Sequence, residues 1–235
     1  MRRLVLWDVD GTLVNYAGLG WEAFLDAFLV VMGRPAAAMD GSMIALAGRT
    51  DPEIALELLA AQEVPDAELR LEEFHTALEA ALAAKAAVMR ERGQALPGAE
   101  EVLAALQHRP EVVQSLLTGN LRANAMLKVA TFGLDRYLDL EVGAYGSDHR
   151  ERPRLVTVAR AKAKAKYGVD LDPRATVLIG DTPLDVAAAQ AEGARVVAVA
   201  SGRYDAETLH AVGADVVLPD LRDTAAAVRA VLAGP

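Results

Sequence analysis

Two carboxylates stand one residue apart where an apolar run meets a glycine, in Leu6-Trp7-Asp8-Val9-Asp10-Gly11-Thr12. The run Leu4, Val5, Leu6 and Trp7 predicts a short buried strand that stops at Asp8 and opens into a loop. In open parallel α/β sheets, ligands bind at the carboxyl ends of the strands. Two carboxylates crowded there repel each other unless a proton or a cation lies between them. Magnesium, a hard cation that prefers oxygen ligands, would settle that charge. An aspartate beside such a metal can also attack phosphorus and form an aspartyl-phosphate. Taken alone, Asp8 and Asp10 equally suit a capped turn in which Gly11 supplies an unusual backbone angle.

Two later strand ends add to this chemistry. Leu116-Leu117-Thr118-Gly119-Asn120 closes an apolar run with a hydroxyl and a glycine. Thr118 can donate to a phosphate oxygen, and the N–H groups of Gly119 and Asn120 at a helix start favour an anion. By itself the segment is also a simple helix cap, with Asn120 starting a helix that ends near Gly133. Ile179-Gly180-Asp181-Thr182-Pro183-Leu184-Asp185 brings two more acids. Asp181 and Asp185 lie one helical turn apart and can face one point, while Pro183 suits a first helical turn. A helix dipole explains one acid there, but not two acids that follow another paired-acid loop. Four carboxylates and a phosphate dianion call for a neighbouring cation, and the segment from Gly146 to Arg154 offers several.

Other patterns carry less. Gly18-Leu19-Gly20-Trp21-Glu22-Ala23 fits G-x-G-x-x-A, but it does not directly follow a strand, so it reads as a linker or hinge into helices. His75, His108, His149 and His210 show no metal-ligand spacing. The alternation Lys162, Lys164, Lys166 predicts a solvated helix face.

The chain has 235 residues, 53% hydrophobic and 24% charged, a globular balance with ample material for a core. A net charge of -9 argues against a nucleic-acid partner, which wants a basic face. With no cysteine, thiolate nucleophiles, disulfides and cysteine-held metals are excluded, and a cytoplasmic setting is expected. Asp8 interrupts the first apolar run too early for a secretory leader. No apolar stretch is long enough to predict a membrane span.

The elements that must hold these residues alternate in the second half of the chain. Strands are expected at 112–117, 138–142, 176–179, 195–199 and 215–218. Between them lie helices ending at Gly168, Gly193 and Gly213. This predicts a parallel sheet covered by helices on both faces. Residues 15–92 differ, with few β-branched residues and many helix formers. From Asp66, a plausible N-cap, the residues Leu71, Phe74, Leu78 and Leu82 mark one helical face. The expected division is therefore an α/β core over 1–14 and 93–235, with a helical cap over 15–92 above Asp8.

Strand–DxDGT, strand–hydroxyl-Gly-Asn, a later cation and strand–GDxxxD, in that order, resemble the haloacid dehalogenase-like phosphohydrolase superfamily. The inserted helices resemble the cap of its phosphoglycolate phosphatase and β-phosphoglucomutase branch. The resemblance implies a Rossmann-like three-layer core with an all-α cap and a Mg2+-dependent phosphatase acting on a small phosphorylated metabolite. In that reading Asp8 is the nucleophile. Asp10 is general acid and then base, and its backbone carbonyl also binds the metal. Thr118, with Gly119 and Asn120, holds the phosphoryl oxygens. Asp181 ligates magnesium directly, and Asp185 does so directly or through water. The third motif usually carries a lysine. Here Glu151-Arg152-Pro153-Arg154-Leu155-Val156 resembles an arginine variant, so Arg152 is the expected phosphate-stabilising cation, with Arg154 and Lys128 as alternatives. Gly48-Arg49-Thr50-Asp51 resembles a cap element that faces the active site and makes Arg49 the specificity candidate. A phosphomutase or a non-catalytic binding protein on the same fold is the competing reading. A monomer or homodimer is expected, with no nucleic-acid or membrane partner.

Overall fold

The computed structural model describes residues 3–37 and 44–234. The chain opens with β1 (Arg3–Trp7) and the short β2 (Val14–Asn15). Four helices follow: α1 (Leu19–Met32), α2 (Asp51–Ala61), α3 (Leu71–Ala84) and α4 (Ala86–Arg92). Strand β3 (Gln94–Ala95) pairs antiparallel with β2, so the helical block leaves and returns through one two-stranded ribbon. Then come α5 (Ala99–Gln107), β4 (Val112–Thr118), α6 (Arg122–Thr131), β5 (Ala144–Tyr145) and α7 (Arg152–Tyr167). The chain ends with β6 (Thr176–Gly180), α8 (Pro183–Ala191), β7 (Arg195–Val199), α9 (Ala206–Ala211), β8 (Val216–Leu218) and α10 (Thr224–Leu232).

Six strands form one parallel sheet in the order β5-β4-β1-β6-β7-β8. Strand β1 is central, pairing Leu4 with Val113 on one side and with Thr176 on the other. Leu4 to Trp7 are fully buried, as a strand covered on both faces requires. Their alternation sorts them between two layers. Val5 and Trp7 pack with Val102, Leu103, Leu106 and Val231 of α5 and α10. Leu4 and Leu6 pack with Leu155, Ala159, Val186 and Ala189 of α7 and α8. The Trp7 indole N–H donates to Gln114 Oε1 at 3.2 Å, so this buried polar atom has its partner.

The helical block buries its own apolar cluster, with Phe24, Phe28, Leu58, Phe74, Leu78 and Met89 at its centre. Phe74, Leu78 and Leu82 are buried at the expected helical spacing. The rings of Phe24 and Phe74 lie 6.1 Å apart and tie α1 to α3. Among the described residues, no helix is long and apolar enough to cross a membrane.

Three expectations are corrected. Residues 138–142 form no strand. The edge strand is Ala144–Tyr145, paired with Leu117 and Thr118, while the preceding loop packs Leu138 and Leu140 against the core. Asp66 caps nothing through its side chain. It takes a left-handed backbone (φ 52°) before a 3-10 turn at Ala67–Arg70 that leads into α3. Asn120 is not the cap of α6 either, because Leu121 holds that position. The three lysines of α7 do lie on a solvated face, where they form surface ion pairs: Lys162 with Asp148 (2.8 Å), Lys164 with Asp170 (2.7 Å), and Lys166 with Asp139 (2.8 Å) and Glu141 (2.6 Å).

Candidate active site

Asp8 directly follows β1, Thr118 ends β4 and Asp181 directly follows β6. Because β4, β1 and β6 are neighbours in the sheet, the three side chains meet at one carboxyl edge. The chain leaves β1 for strands on one side of the sheet and returns to the other, which makes this edge the topological switch point. A cavity of about 250 Å³ opens there. It is lined by Asp8, Asp10, Thr118, Asn120, Arg152 and Asp181 from the core and by Arg49 and Asp51 from the helical block. Its size suits a small molecule.

The acids are buried and close together. Ligand oxygens of Asp8, Asp181 and Asp185 all lie within 4.8 Å of one another. Arg152, the first residue of α7, faces them. Its Nη2 lies 2.5 Å from Asp185 Oδ1 and 3.0 Å from Asp8 Oδ1, and its Nη1 donates to the Gly48 carbonyl at 3.1 Å. Burial raises the pKa of Asp8. The Asp185 and Asp10 carboxylates push it the same way, against the opposing Arg152. Asp181 is raised by burial and by Asp8 and Asp185. One guanidinium thus serves three carboxylates, and the cluster is short of positive charge.

Those residues fit a magnesium ion. The donors are all oxygens, as a hard cation prefers. Two glycines leave space around Asp181: a Cβ on Gly11 would fall 2.4 Å from Asp181 Oδ2 and one on Gly202 only 1.7 Å from it. Thr12 donates to the other Asp181 oxygen at 3.1 Å and fixes the rotamer. Asp185 is committed elsewhere as well. Its Oδ2 accepts from the Thr182 hydroxyl at 2.7 Å in the capping box of α8, and its Oδ1 holds Arg152. It can therefore orient Arg152 and support the metal site together.

A second cluster surrounds Asp10. Lys128 Nζ lies 2.8 and 2.7 Å from the two Asp10 oxygens and 2.6 Å from Asn120 Oδ1. Asn120 Nδ2 donates to Asp10 Oδ2 at 2.8 Å and to Thr118 Oγ1 at 2.7 Å. This is why Asn120 does not cap α6. Burial opposes the charge on Lys128, but Asp10, Tyr16 and Asp51 outweigh it and raise its pKa. Asp51, at the start of α2, accepts from the Leu121 N–H at 2.8 Å. Burial pushes its carboxyl up to about 6, despite Lys128 nearby.

A match to the haloacid dehalogenase-like hydrolase model runs over residues 5–190 and takes in every motif from Asp8 to Asp185. The chain belongs to the haloacid dehalogenase-like hydrolases. It is 33% identical over 220 residues to a plasmid-borne phosphoglycolate phosphatase of Cupriavidus necator, covering 92% of this chain and 89% of that protein. The fold is shared with CbbY of Rhodobacter sphaeroides in complex with phosphate, at TM-score 0.73 and 22% identity over 95% of this chain and 96% of that one. A hydrolase from Pseudomonas syringae superposes with TM-score 0.71 at 22% identity over 97% and 98% of the chains.

Within this hydrolase, the expected site residues divide clearly. Asp8, Asp10, Thr118, Gly119, Asn120, Arg152 and Asp181 all line the cavity, and Asp185 stands behind them. Arg49 lines it too, with its guanidinium paired to Glu57. Arg154 does not reach it and lies exposed beside Glu151 at 3.9 Å. Sequence reasoning missed Tyr16, Asp51 and Arg203. Arg203 follows Gly202 in the loop after β7 and lines the cavity with no hydrogen-bond or ion-pair partner among the described residues. The loop's glycine, Gly202, was the only available signal for Arg203. For Lys128 the signal was its place four residues after Asn124 on the α6 face that buries Ala125 and Val129.

Proposed function

We propose that this hydrolase is a magnesium-dependent phosphatase of small phosphorylated metabolites, working through an aspartyl-phosphate on Asp8. One observation carries the reading: buried Asp8 directly follows the central strand, with Arg152 3.0 Å away and the Asp181 and Asp185 oxygens within 4.8 Å. Phosphoryl transfer needs mainly positioning and neutralisation of charge. Asp8 attacks phosphorus, and the bond to the leaving alcohol oxygen breaks as Asp10 gives that oxygen its proton. Asp10 then takes a proton from a water that attacks the same phosphorus, releasing inorganic phosphate and free Asp8. Arg152 and Thr118 hold the phosphoryl oxygens. Asp8, the Asp10 carbonyl and Asp181 would hold Mg2+, which supplies Lewis-acid neutralisation of the developing charge. The helices of residues 15–92 act as a cap that excludes water from the cavity.

The substrate class we favour is a short phosphorylated carboxylate such as phosphoglycolate. The Cupriavidus relative's name supports it. So does Arg203, because the other two cavity arginines are already paired with carboxylates and this one is not. The test is phosphate release from an aryl phosphate and from phosphoglycolate, with magnesium and with chelator, for the wild type and Asp8→Asn. Metal-dependent release that Asp8→Asn abolishes is the expected result. Turnover retained in Asp8→Asn would overturn the reading, and an isomerised sugar phosphate in place of free phosphate would point to a mutase.

A further inference from the structure

We propose that Lys128 is a positioning residue for Asp10 and takes no part in holding phosphate. An ammonium has three protons to donate. Those of Lys128 face Asp10 Oδ1, Asp10 Oδ2 and Asn120 Oδ1, all within 2.8 Å. The Nζ also sits 3.7 Å from the centre of the Tyr16 ring, which closes the remaining side. Lys128 itself is only 2% exposed, and it does not line the main cavity. No donor is left for a phosphoryl oxygen.

The consequence lies with Asp10. It stands in a loop, and its side chain is 31% exposed. Nothing in β1 fixes its rotamer. Two groups do so instead: the Lys128 ammonium, which meets both oxygens, and the Asn120 amide, which donates to Oδ2. Lys128 also orients that amide, because it takes up the carbonyl end and leaves the Nδ2 protons for Asp10 and Thr118. Lys128 therefore sets where Asp10 points and, through Asn120, where the Thr118 hydroxyl is held. Tyr16 and Asp51 approach the same ammonium from the helical side. A well-placed general acid contributes through its geometry before its acidity.

This inference rests on the reading that Asp10 gives its proton to the leaving oxygen. The experiment compares kcat/KM for an alkyl phosphate, whose leaving group needs a proton, with kcat/KM for nitrophenyl phosphate, whose leaving group does not. Asp10→Asn should lower the alkyl-to-aryl ratio, and Lys128→Met should lower it in the same direction by on the order of 10- to 10²-fold. Lys128→Arg, which keeps the charge with a different reach, should recover part of the ratio. Should Lys128→Met not fold, Lys128→Arg alone is read by the same ratio and should still lower it. Equal loss on both substrates in a folded variant, or an unchanged ratio, would mean that Lys128 only stabilises the fold, and the proposal would be overturned. If Asp10→Asn itself leaves the ratio unchanged, the acid role of Asp10 fails and takes the proposal with it. Wild-type turnover that is lost in Asp8→Asn separates that failure from an absence of phosphatase activity.

Discussion

Gly119→Ala should disable the enzyme by wedging the helical block away from the Thr118–Asn120 loop. Gly119 has no left-handed backbone, so alanine is not strained at the position itself. The obstacle is the helical block: a Cβ there would fall 2.0 Å from the Arg49 carbonyl oxygen and 2.8 Å from Thr50 Cα. Ordinary contact begins at 3.4 Å, so that backbone must retreat by about 1.4 Å. Two hydrogen bonds cannot survive such a shift, Asp51 N–H to the Gly119 carbonyl at 2.7 Å and Leu121 N–H to Asp51 Oδ2 at 2.8 Å. The first is worth about 0.5–1.5 kcal/mol and the second, to a charged acceptor, about 1.5–3 kcal/mol. A loss of roughly 2–4 kcal/mol from the closed arrangement corresponds to about 30- to 10³-fold in kcat/KM. The clusters within the sheet core do not include the Gly119 contact, and the helical block buries most of its apolar residues among its own helices, so the fold should largely persist. The assays are phosphate release and thermal unfolding by circular dichroism. Wild-type kcat/KM would refute the reasoning, because it would mean that turnover does not need this contact. Loss of activity together with loss of the fold would assign the contact to stability and not to closure.

Three further outcomes are expected. In the metal-free protein, burial and mutual repulsion raise Asp8 and Asp181, and burial holds Asp51 at about 6, so the folded state keeps protons that the unfolded chain has released. Stability under chelation should therefore fall as pH rises from the ordinary carboxylate range, about 4, through those raised values. Bound at this cluster, magnesium would take the place of the protons at Asp8 and Asp181. At a hundredfold excess over Kd it should add about 2.7 kcal/mol, or roughly 5–10 °C in Tm, with a larger gain at pH 8 than at pH 5. A gain independent of pH, read by differential scanning calorimetry, would place the metal elsewhere. Arg152→Lys replaces a fork that reaches Asp8, Asp185 and the Gly48 carbonyl with a single point charge. It should cost on the order of 10²-fold in kcat, and steady-state kinetics showing full activity would refute its place beside the phosphoryl group. Arg203→Ala should raise KM for phosphoglycolate on the order of 10-fold, and raise it more than KM for a neutral aryl phosphate, through loss of a charge-assisted hydrogen bond. Equal effects on both substrates would remove Arg203 from substrate recognition.

The acids were legible because their positions follow from strand ends. Asp8, Thr118 and Asp181 each close an apolar run, and a run long enough to be a buried strand must release its next polar residue at the sheet edge. Alternation misled at 138–142. Leu138 and Leu140 do face the core, but they do so from a loop, and pairing with β4 begins only at Ala144. Asn120 looked like a cap because it stands just before a helix. Its side chain had stronger partners in Asp10, Thr118 and Lys128.

What stayed hidden depends on which faces meet across the cavity. Asp51 lies in the first turn of α2, and by sequence alone it is one more acid favoured by the helix dipole. In the fold that dipole is already served by the Thr50–Glu53 capping box, which leaves the Asp51 carboxylate free to accept from Leu121. The Thr50 hydroxyl also crosses to the core, donating to the Arg150 carbonyl at 2.8 Å. The Gly48 carbonyl receives Arg152. Each of these contacts joins residues 70 or more positions apart, and none leaves a local pattern in the sequence. Together they place one short segment, Gly48 to Asp51, against the Thr118–Asn120 loop, Arg152 and the start of α6. On the proposed function, the same few residues would set both substrate choice and closure. A change in Arg49 or Asp51 that alters which tail fits the cavity should also alter how often the cap is shut.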